Sequence, residues 1–144
     1  MRGVSLALVA AVIAAGAAGC ATTGGARTAA DKHGVVIQVS DGDPKTWNQA
    51  LNVVRNVQEA YGKDKVDVEV VVFGNGTGLL QFDSPLANRI EDTLAAGANV
   101  YMCENTMRGR KLTRKDMLPK IGYVSAGVIE IIEKQQQGWA VIRP

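Results

Sequence analysis

The sequence predicts one α/β domain in three layers, with a mostly parallel sheet of about five strands and helices on both of its faces. Short, nearly continuous apolar runs recur along the chain, and such runs are typical of parallel strands that are covered on both sides. Segments whose apolar residues have helical spacing separate these runs. Glycine or a helix-capping residue stands at most junctions, so strand and helix alternate as in βαβ units.

The first half of the domain is predicted to run strand, helix, strand. Residues 35–39 form the first strand, and Asp43 can cap a helix that begins at Pro44. Gly62 terminates this helix, whose larger apolar residues recur at roughly helical spacing: Trp47, Leu51, Val54, Val57 and Tyr61. Residues 66–73 are the most clearly predicted strand, because valines alternate with acidic residues and then run on without interruption.

A glycine-rich loop over residues 74–78 follows, and it contains several positions that are free to take positive φ. Ser84 can cap the second helix, which is predicted to start at Pro85 and to end at Gly97. A third strand over residues 99–102 comes next.

The rest of the chain is predicted to contain two further helices and a last strand. Thr113 caps a short helix in the polar and basic stretch of residues 106–120, before a short strand or turn. Ser125 caps the final helix, and residues 139–142 form the last strand. In such sheets, ligands bind at the carboxyl ends of the strands near a switch in strand order. We therefore expect functional residues at that edge.

Residues 1–19 are typical of an export signal. Arg2 supplies the positive start, and residues 4–18 are apolar but shorter than the roughly 20 residues that span a bilayer. The small residues directly before Cys20 resemble the bacterial lipobox, which implies cleavage before Cys20 and acylation of its thiol. The alternative is ordinary signal cleavage and secretion to the periplasm without lipid.

The segment after the signal is predicted to tether the folded domain. Residues 20–32 consist of the anchor cysteine and small or polar residues that cannot bury surface, so we expect a flexible linker before a domain over residues 33–144. The lipoprotein interpretation predicts a periplasm-facing protein held at the membrane by its acyl chains. Ala21 stands where many inner-membrane lipoproteins have aspartate, which favours the outer membrane.

Composition argues against a nucleic-acid partner and against a bound metal ion. The formal net charge is +2 and aromatic residues make up 5% of the chain, so we expect no nucleic-acid partner and no platform for stacked bases. His33 is the single histidine and lies at the edge of the domain, where we interpret it as a surface residue. The ligands of a metal site are missing from the sequence, and no cofactor is predicted.

Cys103 is the main candidate for chemistry. With Cys20 assigned to lipid attachment, Cys103 has no cysteine partner in its own domain, which suggests a reactive thiol or an intermolecular bond. A helix that begins near Asn105 or Thr106 would direct backbone N–H groups toward the sulfur and favour the thiolate. The alternative is a buried cysteine that acts as a small apolar residue, and spacing alone slightly favours this alternative.

Two neighbouring segments could complete a site around this thiol. Arg108 and Arg110 belong to a basic run that would stabilise a thiolate or attract an anionic substrate, although a solvated loop explains the run more simply. The loop that contains Gly74, Asn75 and Gly76 lacks the full phosphate-binding patterns, but it can border a pocket beside the cysteine.

Several segments together resemble the DsrE/DsrF-like family over about residues 35–144. They are residues 70–76, 100–107, 126–132 and 136–140. The resemblance implies a compact α/β domain with a mainly parallel sheet, and oligomers that are often trimers or hexamers. In the sulfur-relay members, a cysteine on this edge carries sulfur as a persulfide and passes it to a partner. Cys103 resembles that position, and Gly74 and Gly76 resemble the neighbouring loop.

These observations leave three hypotheses open. The first is an envelope-tethered sulfur carrier or transferase, in which the Cys103 thiolate takes sulfane sulfur from a donor and hands it to an acceptor protein. The second is a non-catalytic module that binds a small ligand near residues 74–78, with Cys103 in the wall of its pocket. The third is an interaction role through homo-oligomers that assemble by apolar helix faces.

Overall fold

The structure is a computed structural model of the chain and describes residues 32–144. The strands, in chain order, are β1 (His33–Val39), β2 (Val66–Val72), β3 (Asn99–Cys103), β4 (Gly122–Val124) and β5 (Ala140–Ile142). The helices are α1 (Pro44–Tyr61), α2 (Ala87–Ala95), α3 (Glu104–Gly109) and α4 (Gly127–Gln136), with 3₁₀ helices at Gly74–Leu79 and Arg114–Asp116. The predicted export signal, Cys20 and the tether up to residue 31 lie outside the described residues.

The strands form one five-stranded sheet in the order β4-β3-β2-β1-β5, and every neighbouring pair is parallel. One face packs on α1 and α2 around a large apolar core that includes Ile37, Val70 and Met102. The opposite face carries a smaller cluster in which Val36 and Val71 pack on Ile131 of α4. The prediction of a three-layer domain with a parallel sheet is therefore confirmed.

α1 forms as its sequence predicts. Asp43 has extended backbone angles, and its side chain accepts a hydrogen bond of 2.9 Å from the N–H group of Lys45. Pro44 occupies the first turn, where its missing N–H group costs nothing. Gly62 follows the helix with φ of 88°, a backbone conformation that glycine adopts without strain. Trp47 is buried on the inner side of this helix.

Several element boundaries differ from the prediction. Ser125 does not cap the final helix, because α4 begins at Gly127 after Ala126 and has no side-chain cap. α2 begins at Ala87 because Ser84 and the two residues after it form a turn, in which the Ser84 hydroxyl accepts a hydrogen bond from the N–H group of Leu86. β1 begins at His33, whose exposed ring contacts Tyr61 at 4.4 Å between centroids. The predicted glycine-rich loop is a 3₁₀ helix. It lies so close to β1 that a Cβ atom on Gly76 would approach the Val39 carbonyl oxygen to 2.5 Å.

The strand order reverses between β5 and β1, and α4 makes the crossover from the β4 edge to the β5 edge. Cys103 ends β3, two strands away from that reversal. The thiol therefore lies at the predicted edge of the sheet but not in the crevice at the switch point.

Within residues 32–144, no helix is both long enough and apolar enough to cross a bilayer.

Candidate functional site

Cys103 is the last residue of β3 and directly precedes α3. Side chains alternate between the two faces of a strand, so Val100 and Met102 enter the core beneath α1 and α2, whereas Cys103 points toward α4. The residue is 4% exposed, and its thiol is free of any disulfide within the described part of the chain. The fold thus presents a single sheltered sulfur at the carboxyl edge of the sheet.

Uncharged donors surround the sulfur and lower the pKa of the thiol. Burial alone raises this pKa, but the hydroxyl group of Thr106 and the backbone N–H groups of Gly127, Thr106 and Asn105 outweigh burial. The thiol does not cap α3 with a fully formed hydrogen bond. We therefore treat these groups as dipoles that favour the charged sulfur, and the result is a thiol that ionises more readily than an ordinary cysteine.

Thr106 links the sulfur to the glycine-rich segment. Its hydroxyl oxygen accepts a hydrogen bond of 3.1 Å from the N–H group of Gly74, which leaves its own proton free to point at Cys103. Gly74 can do this because its φ of 57° turns the backbone out of β2. The carbonyl oxygen of Gly74 accepts a further bond of 2.7 Å from the Thr77 hydroxyl. Two segments that the sequence singled out therefore meet at the thiol.

Gly127 is a member of the site that sequence reasoning missed. It is the first residue of α4, so its N–H group has no partner inside the helix. A Cβ atom at this position would lie 3.1 Å from the Phe73 ring, 3.2 Å from Val71 and 3.4 Å from the Cβ atom of Cys103. Glycine therefore allows the amino end of α4 to reach the sulfur. The one sequence signal for it is weak, because Gly127 follows β4, a strand of only three residues beside β3.

The two predicted arginines bond to neighbouring asparagine side chains. Arg108 donates a hydrogen bond to the Asn105 side chain, and Arg110 donates one of 2.9 Å to the Asn75 side chain. Both arginines and both asparagines are exposed, whereas Gly76 is buried against β1. The groups that lower the pKa of the thiol are all uncharged. A direct role for either arginine remains a prediction.

The carboxylate nearest to Cys103 in the chain is held by a cation. Glu104 accepts a hydrogen bond of 2.8 Å from the guanidinium group of Arg114, which also lies 4.3 Å from the centre of the Tyr123 ring. This pairing partly offsets the negative charge that would otherwise oppose a thiolate.

One cavity lies away from the thiol. A groove of about 400 Å³ runs between α1 and α2, and its polar lining includes Arg55, Gln58 and Arg89. It belongs to the sheet face opposite Cys103, so it offers no substrate pocket for the thiol.

Across residues 32–144, no group of three His, Cys, Asp or Glu side chains is placed to hold a metal ion.

These features define a parallel α/β domain that presents an acidified cysteine at the end of a strand. A family model described as the DsrE/DsrF-like family matches residues 31–144, and the chain belongs to that family. Membership indicates a sulfur-relay-related function and confirms the resemblance read from the sequence. No curated protein matches the chain significantly.

Solved structures share the fold of this chain. The protein of unknown function MTH1491 from Methanobacterium thermoautotrophicum is 29% identical, with a TM-score of 0.75 over 78% of this chain and 100% of its own. The protein of unknown function BT1422 from Bacteroides thetaiotaomicron is 14% identical, with a TM-score of 0.64 over 77% and 94% of the two chains. The ychN protein from E. coli is 13% identical, with a TM-score of 0.62 over 79% and 99%. The last two likenesses show the fold alone.

Proposed function

We propose that the protein is a sulfur carrier of the cell envelope that holds sulfane sulfur as a persulfide on Cys103. The observation that carries this proposal is the thiol itself, which is buried at a strand end and yet has a lowered pKa because Thr106 and Gly127 direct donors toward it. A cysteine that served only as a small apolar residue would have its pKa raised by burial.

The transfer needs no outside oxidant or reductant. The Cys103 thiolate attacks the outer sulfur of a donor persulfide, the donor's S–S bond breaks, and the donor leaves as a thiolate. An acceptor thiolate then attacks the outer sulfur now bound to Cys103, which regenerates the Cys103 thiolate. The donors around the sulfur assist the second step most, because they stabilise Cys103 as the leaving group.

Burial suits a carrier that works in an oxidising compartment. A bare thiolate that is 4% exposed is sheltered from oxidants. In the persulfide, the reacting sulfur lies one S–S bond, about 2 Å, farther from the backbone and so closer to an approaching acceptor. The carrier therefore exchanges sulfur with partner proteins that dock at this edge of the sheet.

The envelope location is the part of the proposal that rests on the sequence. Residues 1–19 act as the export signal, and acylation of Cys20 anchors the domain to the membrane through residues 20–32. The outer membrane is the favoured site of anchoring. Mass spectrometry of Cys20 peptides from envelope fractions tests this, because unacylated Cys20 would contradict it.

The persulfide is tested by loading the full chain with polysulfide and mapping its peptides by mass spectrometry. We expect one added sulfur on the peptide that contains Cys103, removed by an acceptor thiol, and none after Cys103→Ser. Peptide mapping separates this adduct from any adduct at Cys20. An unmodified Cys103 under conditions that load free cysteine would refute the carrier function.

A second candidate function, interaction through homo-oligomers, is favoured by one specific observation. Val128, Ile129 and Ile132 of α4 are 52%, 51% and 43% exposed, which is unusual for three large apolar side chains on one short helix. Assembly as trimers or hexamers would cover them. Such assembly is also compatible with the carrier function.

A further inference from the structure

α4 turns two charged side chains, Glu130 and Lys134, toward the sheet beside Ile131, and it leaves three large apolar side chains toward solvent. The side chains of Glu130 and Lys134 are only 23% and 18% exposed, whereas Val128, Ile129 and Ile132 are about half exposed. An amphipathic helix normally places its apolar stripe against the core. Some specific interaction must therefore hold α4 in this rotational setting.

Glu69 on β2 provides that interaction. Its side chain is 5% exposed and accepts a hydrogen bond of 2.7 Å from the ammonium group of Lys134. The same ammonium group lies 4.3 Å from the centre of the Trp139 ring and 3.7 Å from a carboxylate oxygen of Glu130. A carboxylate in the middle of a valine-rich buried strand is costly unless a cation pairs with it.

The remaining contacts of α4 with the sheet are apolar and do not by themselves select which side chains face inward. Within Gly127–Gln136, Ile131 is the one buried apolar side chain, and it packs on Val36 and Val71. The amino end of the helix also approaches the sheet closely, because Gly127 lies against Phe73, Val71 and Cys103. The second carboxylate oxygen of Glu69 finds no hydrogen-bond partner within residues 32–144. A buried ion pair with an unpaired carboxylate oxygen adds little to the stability of the fold. Its role is therefore better explained as selecting one rotation of α4 on the sheet.

We propose that Glu69 and Lys134 are positioning residues of the sulfur site, because their ion pair sets the rotation of α4 and thereby holds the N–H group of Gly127 against the Cys103 sulfur. That this contact serves sulfur transfer rests on the proposed carrier function. The positioning itself is a property of the free thiol and is measured without any sulfur donor.

The experiment is a titration of Cys103 by the ultraviolet absorbance of its thiolate, with the Cys103→Ser chain as the baseline. Glu69→Met and Lys134→Met are each expected to raise the Cys103 pKa by about one unit, since each releases α4 and withdraws one donor from a charged sulfur. A through-space effect of charge predicts opposite signs, because Glu69→Met leaves a cation and Lys134→Met leaves an anion.

The matched control is Lys32→Met, which breaks the exposed ion pair of 3.2 Å between Lys32 and Asp67 on the same strand and should leave the titration unchanged. If either single variant fails to fold, the double variant Glu69→Met with Lys134→Met carries no unpaired buried charge and should still show the raised pKa. Shifts of opposite sign in the singles, or a wild-type pKa in the folded double variant, would overturn the proposal. Sulfur loading of the wild-type chain tests the carrier function separately.

Discussion

Two opposing effects act on the Cys103 sulfur. Burial removes water from the sulfur and raises the pKa of the thiol, whereas four donor groups favour the thiolate and lower it. The donors prevail because they are fixed by the fold. The Thr106 hydroxyl is held by the Gly74 N–H group, and the Gly127 N–H group is held by α4. The site therefore combines shelter from solvent with ready ionisation.

Thr106 is the side chain with the largest expected effect on this balance. Thr106→Val removes the hydroxyl while keeping the shape, and we expect the Cys103 pKa to rise by about one to two units, the equivalent of one hydrogen bond to a charged group. Thr106→Ser retains the hydroxyl and should titrate like the wild type. The pH dependence of thiolate absorbance measures both, and equal titrations of the two variants would contradict the assigned role.

Gly127 is expected to tolerate no side chain. Gly127→Ala places a Cβ atom 3.1 Å from Phe73 and 3.2 Å from Val71, so we expect a loss of about 1–3 kcal/mol in the free energy of unfolding. Gly109→Ala is the matched control, because Gly109 is helical and has no neighbour within 4 Å of the added Cβ atom. Its stability should be unchanged or increased by up to about 1 kcal/mol. Urea denaturation compares the two, and equal losses would contradict the close packing at Gly127.

The sequence was sufficient to predict some members of the site but not others. Cys103, Thr106 and Gly74 could be singled out because each follows a clearly predicted strand, and parallel strands bring their carboxyl ends to one edge. Gly127 was missed because β4 has only three residues and gives a weak signal, so the turn after it was not assigned to that edge. The arginines were proposed from proximity in the chain, which does not determine where a long side chain bonds.

At the scale of elements, a capping side chain stabilises the start of α1, whereas α2, α3 and α4 begin without a side-chain cap. Asp43→Ala removes the side-chain acceptor at the start of α1, and we expect a loss of about 1 kcal/mol in the free energy of unfolding. Asp43→Asn keeps an acceptor and should lose little. Thermal and urea denaturation check this, and an unchanged stability in Asp43→Ala would show that the cap contributes nothing.

Local sequence predicted α1 better than it predicted α2. The aspartate and proline before α1 act together at one helix start, and the structure has both in those roles. Ser84 and Pro85 make the same pattern, but the serine hydroxyl bonds to the Leu86 N–H group and closes a turn before the helix begins. Both outcomes satisfy the same backbone donors locally, so tertiary packing rather than sequence decides between them.

At the scale of the whole molecule, α4 connects the two edges of the sheet and leaves an apolar surface outside. That surface predicts assembly of the chain in solution. Ile132→Glu places a charge within it and should shift the wild-type oligomer toward monomer. Gln135→Glu, at an exposed position of the same helix, is the control and should not. Sedimentation velocity measures both, and a monomeric wild-type chain would contradict the prediction.

The absorbance titration of the Cys103 thiolate in the wild-type chain tests the central claim most directly, because it reports ionisation of the sulfur whether or not reagents reach it. The account predicts a transition that is absent in Cys103→Ser, with a midpoint below the ordinary pKa of a cysteine thiol. A midpoint at or above that ordinary value would mean that burial dominates. Cys103 would then be an apolar part of the core and not a carrier of sulfur.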